Sequence, residues 1–479
     1  MTENAMHAVR RVMDAHAQER MAPCGIGSII IGDDVLETVP HHLRSLLAGH
    51  DKLRPTVLFV VDKTPIYRAG VSVKPHMKAL LEEFFELQEL VLDDGHPELH
   101  ASEDIVEQVA TAAKKVDAVV TLGGGTISDL GKMGSARVGN PPLVVVQTAA
   151  SVDGFTDDVS VLLKNGVKRT VPSRWPDVVI ADSVLIAEAP RHMNSAGFGE
   201  INSMFVAPAD WLLAKHLGFD DGFSWGPIAL LHEVGLGIDE WSPGLANAEF
   251  TSVAALARAL DIRGVATGVA GSTALLSGVE HLISHMLDMA NASQHKNIGL
   301  HGAQVGVASV VAAVIWEALF ERFDAMHADG ATVPTADLDA GRRDIDRAFG
   351  DLGTNGSIAD ECWRDYSAKL QRWNEQGEQI AAFIAKWPSH RDELRRLVMP
   401  PTDMARGLVV AGSPATFADL DPVIEPDLAH WAVRNCALMR NRLTAVDIFI
   451  QFGWWTDDVV SELIARATDL AQVRIGQGA

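Results

Sequence analysis

Cysteine is scarce, with three residues (Cys24, Cys362 and Cys436) in a chain of 479. None belongs to a CxxC pair, so a disulfide framework and a CxxC redox or zinc motif are excluded, and a reducing cytoplasm is expected. Basic runs are also missing. Asp and Glu outnumber Lys and Arg by 63 to 40, a formal charge of −23. Such a surface repels nucleic acid and anionic membranes, so any anionic substrate must be held by a local cluster of positive groups. The N-terminus has Glu3, Arg10, Arg11 and Asp14 where a secretory leader would need an apolar core. The longest apolar run, Val305 to Trp316, is interrupted at Ser309 and ends at Glu317. It is too short to cross a bilayer and predicts a buried helix, so no membrane insertion is expected. Internal repeats and low-complexity tracts are absent. What remains is an ordinary globular mix, 47% hydrophobic and 22% charged, long enough for two domains.

Up to about residue 190, short β-rich runs alternate with helical patterns. The runs are Ser28–Ile31, Thr56–Asp62, Leu90–Leu92, Ala118–Leu122, Leu143–Val146 and Val178–Ala181, with helical spacing over Pro75–Glu89 and Ser102–Lys115. Continuous apolar runs separated by helices predict parallel strands buried on both faces. An α/β N-terminal domain with a Rossmann-like parallel sheet is therefore expected over residues 1–192. Beyond it, helical patterns dominate: Met204–Leu217, Ser252–Ala266, Ala274–Met289 and Val305–Phe320. Residues 193–479 are expected to form a mostly α-helical C-terminal domain. The polar stretch Asp324–Ala336, with its Gly and Pro, predicts a surface loop.

Three segments carry candidate chemistry. Gly123-Gly124-Gly125-Thr126-Ile127-Ser128-Asp129-Leu130-Gly131-Lys132 follows a strand and opens a helix. Glycines there let the backbone approach a pyrophosphate, and the exposed N–H groups of a helix start attract its charge. The pattern is neither GxGxxG nor a P-loop, and the same turn also serves as a plain strand-to-helix connection. Next, Gln147 to Asp157 again follows a strand. Its small residues suit a wall for a nicotinamide ring, and Asp153 can accept from substrate hydroxyls; a simple turn fits too. Lys164, Lys168 and Arg169 beyond it are either a positive cluster or a solvated hairpin. Finally, His281 and His285 lie four apart on one helix face, and His301 heads the next helix, a spacing open to metal binding.

Taken in order, these segments resemble the iron-type alcohol dehydrogenase and dehydroquinate synthase superfamily, most of all its bacterial glycerol-1-phosphate dehydrogenase branch. The pieces are GGGTISDLGK, QTAASVDGF, VLIAEAPRHMNSAGFGE, EHLISHMLD, LHGAQVGVA, AGSPATFADL and RNRLTAVDIFIQFG, which span nearly the whole chain. The resemblance implies a dehydroquinate synthase-like fold, with residues 1–192 binding the nicotinamide cofactor and 193–479 binding metal and substrate. It implies one divalent metal ion, whether zinc, iron, nickel or manganese, on Glu200, His281 and His301. Cofactor contacts are implied for Gly124, Gly125, Thr126, Ile127, Ser128 and Asp129, for Thr148, Ala149, Ala150 and Ser151, and for Asp157. Asp153 is implied to contact substrate, and His285 to relay a proton. Asp62, closing its strand, falls where the adenosine ribose is met; a free carboxylate there favours NAD over NADP. A homodimer acting on a small anionic polyol or ketone is also implied.

Three positions depart from the branch. Glu200 stands in place of aspartate, as in dehydroquinate synthases. Asn202 and Ser203 replace a pattern that includes a basic residue, and Asp157 replaces a small hydroxyl residue. The implied reaction is reduction of dihydroxyacetone phosphate to glycerol 1-phosphate. The departures keep open a different polyol, a phosphonate or a sugar-derived alcohol, and a sugar-phosphate cyclase.

Overall fold

The computed structural model describes residues 2–96, 99–164, 167–294, 296–329, 332–352 and 356–472. The chain divides into two compact units, Met1–Gly197 with Ser224–Gly271, and Phe198–Phe223 with Ser272–Ala479. The division differs from a single cut at 192/193, because Ser224–Gly271 groups with the N-terminal residues.

The first unit is built on a seven-stranded sheet. Its strands are β1 (Glu3–Asn4), β2 (Ser28–Gly32), β3 (Thr56–Asp62), β4 (Glu86–Leu92), β5 (Ala118–Gly123), β6 (Leu143–Gln147) and β7 (Val178–Asp182). They lie in the order β1-β2-β7-β6-β5-β3-β4. Every pairing is parallel except that of β1 with β2. The apolar runs explain this: β5, β6 and β7 are buried along their whole length, which only a sheet covered on both faces allows. Val57, Phe59 and Val61 of β3 pack with Val73, Met77 and Leu81 of the helix Val73–Glu82 in one core cluster. Each such side chain contributes on the order of 1.5–3 kcal/mol by leaving water.

Strand order positions a ligand. From β3 the chain steps outward to β4, whereas from β5 it steps the other way to β6. The switch point of this doubly wound sheet therefore lies between β3 and β5, where such folds bind ligands beyond the carboxyl ends of the strands. Asp62 ends β3 and Gly123 ends β5.

Two expectations need correction. The helix expected over Pro75–Glu89 stops at Glu82, and β4 begins at Glu86. The loop expected over Asp324–Ala336 begins later, because the helix His301–Asp329 takes up its first residues. That helix is longer than its twelve-residue apolar run suggests. It is long and apolar enough to cross a membrane by length and composition, but 83% of its apolar window is buried in the protein's own interior. Over Val305–Trp316 it is apolar all round because it is packed all round, while Glu321 beyond is exposed.

Candidate metal centre and cofactor-binding segments

In the second unit three helices bring the implied metal ligands together. Glu200 lies in the last turn of α1 (Arg191–Ile201), His281 in the first turn of α2 (Val279–Ser293), and His301 opens α3 (His301–Asp329). The approach of α1 to α3 depends on glycine. A Cβ on Gly199 would lie 2.3 Å from the carbonyl oxygen of Gly302, and one on Gly306 would lie 2.6 Å from Cα of Gly199. Only bare backbones fit this closely, and the contact sets Glu200 against the start of α3.

One ligand atom each from Glu200, His281 and His301 lie within 4.8 Å of one another. Glu200 and His281 are 3% and 8% exposed. His281 Nε2 is 3.4 Å from Glu200 Oε1, and its Nδ1 is 2.8 Å from Glu280 Oε1. The Nδ1–H thus donates to Glu280, which also accepts from the Gly278 N–H. His301 is fixed in the same sense. Ser284 Oγ donates to Gln304 Oε1 at 2.7 Å, so it can only accept at 3.0 Å from His301 Nδ1–H. Both rings therefore have Nδ1 occupied, so Nε2 is the atom each would turn to a cation, which at His281 would take the place of the proton shared with Glu200. Burial works against charge on His281, but Glu200 and Glu280 outweigh it and lift its pKa to about 9. Two carboxylates around one imidazole are an anionic excess that a divalent cation would neutralise. One carboxylate with two imidazoles suits zinc, iron, nickel or manganese and leaves coordination positions open.

His285 is half-buried one turn along α2, its ring stacked 5.5 Å from that of His301. His285, Asp288 and His301 form a second set with ligand atoms within 4.8 Å, so His301 belongs to both sets. Asn202 and Ser203 are buried and turned onto helix carbonyls, those of Phe198 and Glu200.

In the first unit, Gly124 precedes the helix Gly125–Ala136 at the end of β5. Among the described residues, a Cβ on Gly124 would meet nothing within 4 Å, so its outer side is open. The N–H groups of Gly125 and Thr126 have no acceptor within the helix, and both residues are partly exposed. Ile127 and Ser128 are buried, and their N–H groups donate to Gly124 O. Asp129 accepts from the Val161 N–H and lies 3.5 Å from Lys132.

The Thr148–Ser151 segment is clamped from within. Asn194 accepts from the Ala150 N–H and donates to Ile186 O. Ala149 and Ala150 are buried, and Thr148 and Ser151 nearly so. Asp157 is 2.5 Å from Lys132, whose ammonium also donates to the carbonyls of Gly154 and Val159. Burial opposes charge on Lys132, yet Asp157 and Asp129 keep its pKa above the usual lysine value. Lys132 thereby fixes the whole 154–159 turn. Asp153 lies 3.5 Å from the buried guanidinium of Arg263. Asp261 is fully buried, both carboxylate oxygens lack a hydrogen-bond partner among the described residues, and burial then Asp153 push its pKa well up.

Asp62 corrects an expectation. Its carboxylate is not free: Lys74 Nζ lies 2.6 Å away, and Thr64 donates through N–H and hydroxyl. The argument for NAD over NADP from a free acid at this point is lost. The side chains of Lys164 and Lys168 lie outside the described residues.

Sequence reasoning did not find Glu280, Ser284, Gln304, Asp288, Lys132 as an anchor, or Arg263. The one sequence signal for Glu280 is an acid directly before a candidate ligand histidine.

Residues 30–190 match the family described as iron-containing alcohol dehydrogenase. The chain is 34% identical over 290 residues to a glycerol-1-phosphate dehydrogenase [NAD(P)+] of Haloquadratum walsbyi, covering 60% of this chain and 76% of that one. A protein of the same name from Methanosarcina barkeri is 32% identical over 285 residues, 59% of this chain and 74% of the other. Among solved structures, maleylacetate reductase from Agrobacterium tumefaciens matches with a TM-score of 0.55 at 14% identity, over 94% of this chain and 98% of that one. An iron-containing alcohol dehydrogenase from Corynebacterium glutamicum gives 0.53 at 15% identity, over 95% and 98%. These two share the fold. The identity and coverage of the first relative show that the chain belongs to the glycerol-1-phosphate dehydrogenases, within the iron-containing alcohol dehydrogenase superfamily.

Proposed function

We propose that this chain is a metal-dependent, NAD(P)-linked dehydrogenase that interconverts dihydroxyacetone phosphate and glycerol 1-phosphate. The observation that carries the metal chemistry is the set Glu200, His281 and His301, with one ligand atom of each within 4.8 Å of the others and both imidazoles held at Nδ1. The substrate follows from the relatives' names. A divalent ion on those three ligands supplies polarisation of the substrate carbonyl, and a bound reduced nicotinamide supplies the hydride.

The chain's own residues bind, orient and move protons. Gly124 presents an open side, and Gly125 and Thr126 supply the N–H groups of a helix start, which together suit the cofactor pyrophosphate. Ile127, Ser128 and Asp129 hold that turn, and Thr148 to Ser151 form a fixed wall for the nicotinamide. Asp157, through Lys132, keeps the adjoining turn in place. Asp153, oriented by Arg263, accepts from substrate hydroxyls. His285 delivers the proton that the substrate oxygen takes up as the carbonyl is reduced, and carries it outward in the reverse reaction. Asp62 meets the adenosine ribose, and Lys74 beside it gives a 2′-phosphate a positive partner, so both NAD and NADP are accepted. We place the enzyme in the cytoplasm, where its three free cysteines stay reduced, and as a homodimer.

The test is an absorbance assay of purified protein, loaded in turn with zinc, iron(II), nickel or manganese. NADH or NADPH is supplied with a panel of phosphorylated and free ketones. Net cofactor oxidation with dihydroxyacetone phosphate is expected. Net oxidation only with another polyol-derived, phosphonate or sugar-derived ketone would reassign the substrate. Turnover of a sugar phosphate without net cofactor change would make it a cyclase. No turnover with any metal or substrate refutes the proposal.

A further inference from the structure

A second group of imidazole and carboxylate ligands lies in the same unit, on elements the proposed reaction does not use. His216 is the last residue of the helix Ala207–His216. His390 and Glu393 lie three apart, on one face of the helix Trp387–Arg395. His216 Nε2 is 3.0 Å from Glu393 Oε2, and the rings of His216 and His390 are 4.2 Å apart. One ligand atom from each of the three residues falls within 4.8 Å of the others. Phe383 stacks on the His390 ring at 4.8 Å and 14°, fixing its plane.

From this geometry we infer that His216, His390 and Glu393 form a second divalent-metal site, of the kind that takes zinc, joining the two helices. Two imidazoles and a carboxylate make a three-ligand set that water completes to a tetrahedron. Neighbouring ligand atoms around tetrahedral zinc are about 3.3 Å apart. The His216–Glu393 pair is already near that, and rotations of roughly an ångström close the rest. A hydrogen bond to Glu393 accounts for His216 but not for His390. The Nδ1 of His390 is buried and has no hydrogen-bond partner among the described residues, a polar atom left for a ligand to satisfy. The rings also suit a cation. Burial pushes the pKa of each down, and at His216 the neighbouring His390 adds to this. The Glu393 side chain is 43% exposed, so the ion reaches the site without unfolding.

The experiment measures zinc per chain in the purified full-length protein after equilibrium dialysis against Zn2+. Wild type is expected to hold two ions. His390→Ala and Glu393→Gln should each hold one and keep turnover within about twofold of wild type. His281→Ala should also hold one but lose turnover, and His281→Ala/His390→Ala should hold none. Zn2+ should raise the melting temperature of His281→Ala and leave that of the double variant unchanged. Should His390→Ala not fold, Glu393→Gln at the surface decides by itself. Wild type holding a single ion, or Glu393→Gln still holding two, overturns the second site. Neither result bears on the Glu200 site, which the His281→Ala arm reads separately.

Discussion

Gly199→Ala perturbs the metal centre without touching a ligand. The added methyl would sit 2.3 Å from the carbonyl oxygen of Gly302 and 3.1 Å from its carbon. An ordinary contact needs about 1 Å more, and the atoms in the way are backbone, so no rotamer change relieves the clash. The helix carrying Glu200 must therefore move about 1 Å from the helix that starts at His301. Ligand distances in a functional site hold to about ±0.2 Å, so the site opens beyond that tolerance. Overpacking of this kind costs about 1–3 kcal/mol. A unit of this size loses about 2–4 °C of melting temperature per kcal/mol. A misplacement of about 1 Å at a reacting centre lowers turnover about 100-fold. Three readouts follow: melting temperature, metal content after dialysis, and NAD(P)H oxidation with dihydroxyacetone phosphate. All three are expected to fall. Wild-type metal content and turnover in Gly199→Ala would refute the claim that this helix contact sets the site.

Gly124→Ala is the contrasting substitution: its methyl enters open space, so the melting temperature stays within about 1 °C while KM for NAD(P)H rises about tenfold in steady-state kinetics. Glu280→Gln keeps the shape of the His281 partner but removes its charge, and should weaken metal affinity about 10–100-fold in a chelator competition titration. Asp261 has its folded pKa raised above the unfolded value near 3.8, so the folded state holds an extra proton. Its stabilising contribution is full below pH 4 and is lost as pH rises through the folded pKa. Asp261→Asn should therefore melt a few degrees higher than wild type at pH 8 and no higher at pH 4, as read by thermal melts across that range.

How much of this was legible in the sequence depended on whether a residue's partner is announced by pattern. The strand Thr56–Asp62 is read residue for residue, because seven mostly apolar residues in the sheet interior leave no other reading. The helix expected through Glu89 overran, since Phe84 and Leu87 continue its spacing after the chain has turned into the half-exposed edge strand Glu86–Leu92. The grouping of Ser224–Gly271 with the N-terminal residues is a long-range packing outcome with no local mark. At the site, Glu200, His281 and His301 stand in recognisable motifs, and the structure brings them together. Their supports do not stand out: Ser284 and Gln304 are ordinary helix residues until the fold sets them beside His301. Lys74 likewise reaches Asp62 only once the chain has turned from strand to helix, and that pairing removed the case for one cofactor.

The most direct measurement is metal reconstitution of NAD(P)H oxidation with dihydroxyacetone phosphate, in wild type and in His301→Ala. Chelator-treated wild type should be inactive and regain turnover as zinc, iron(II), nickel or manganese is titrated back. His301→Ala should stay below about 1% of wild type at every metal concentration, the roughly 100-fold loss or more expected when a reacting centre loses its geometry. Full recovery of His301→Ala, or undiminished activity of the chelator-treated wild type, would contradict the assignment of Glu200, His281 and His301 as the metal centre.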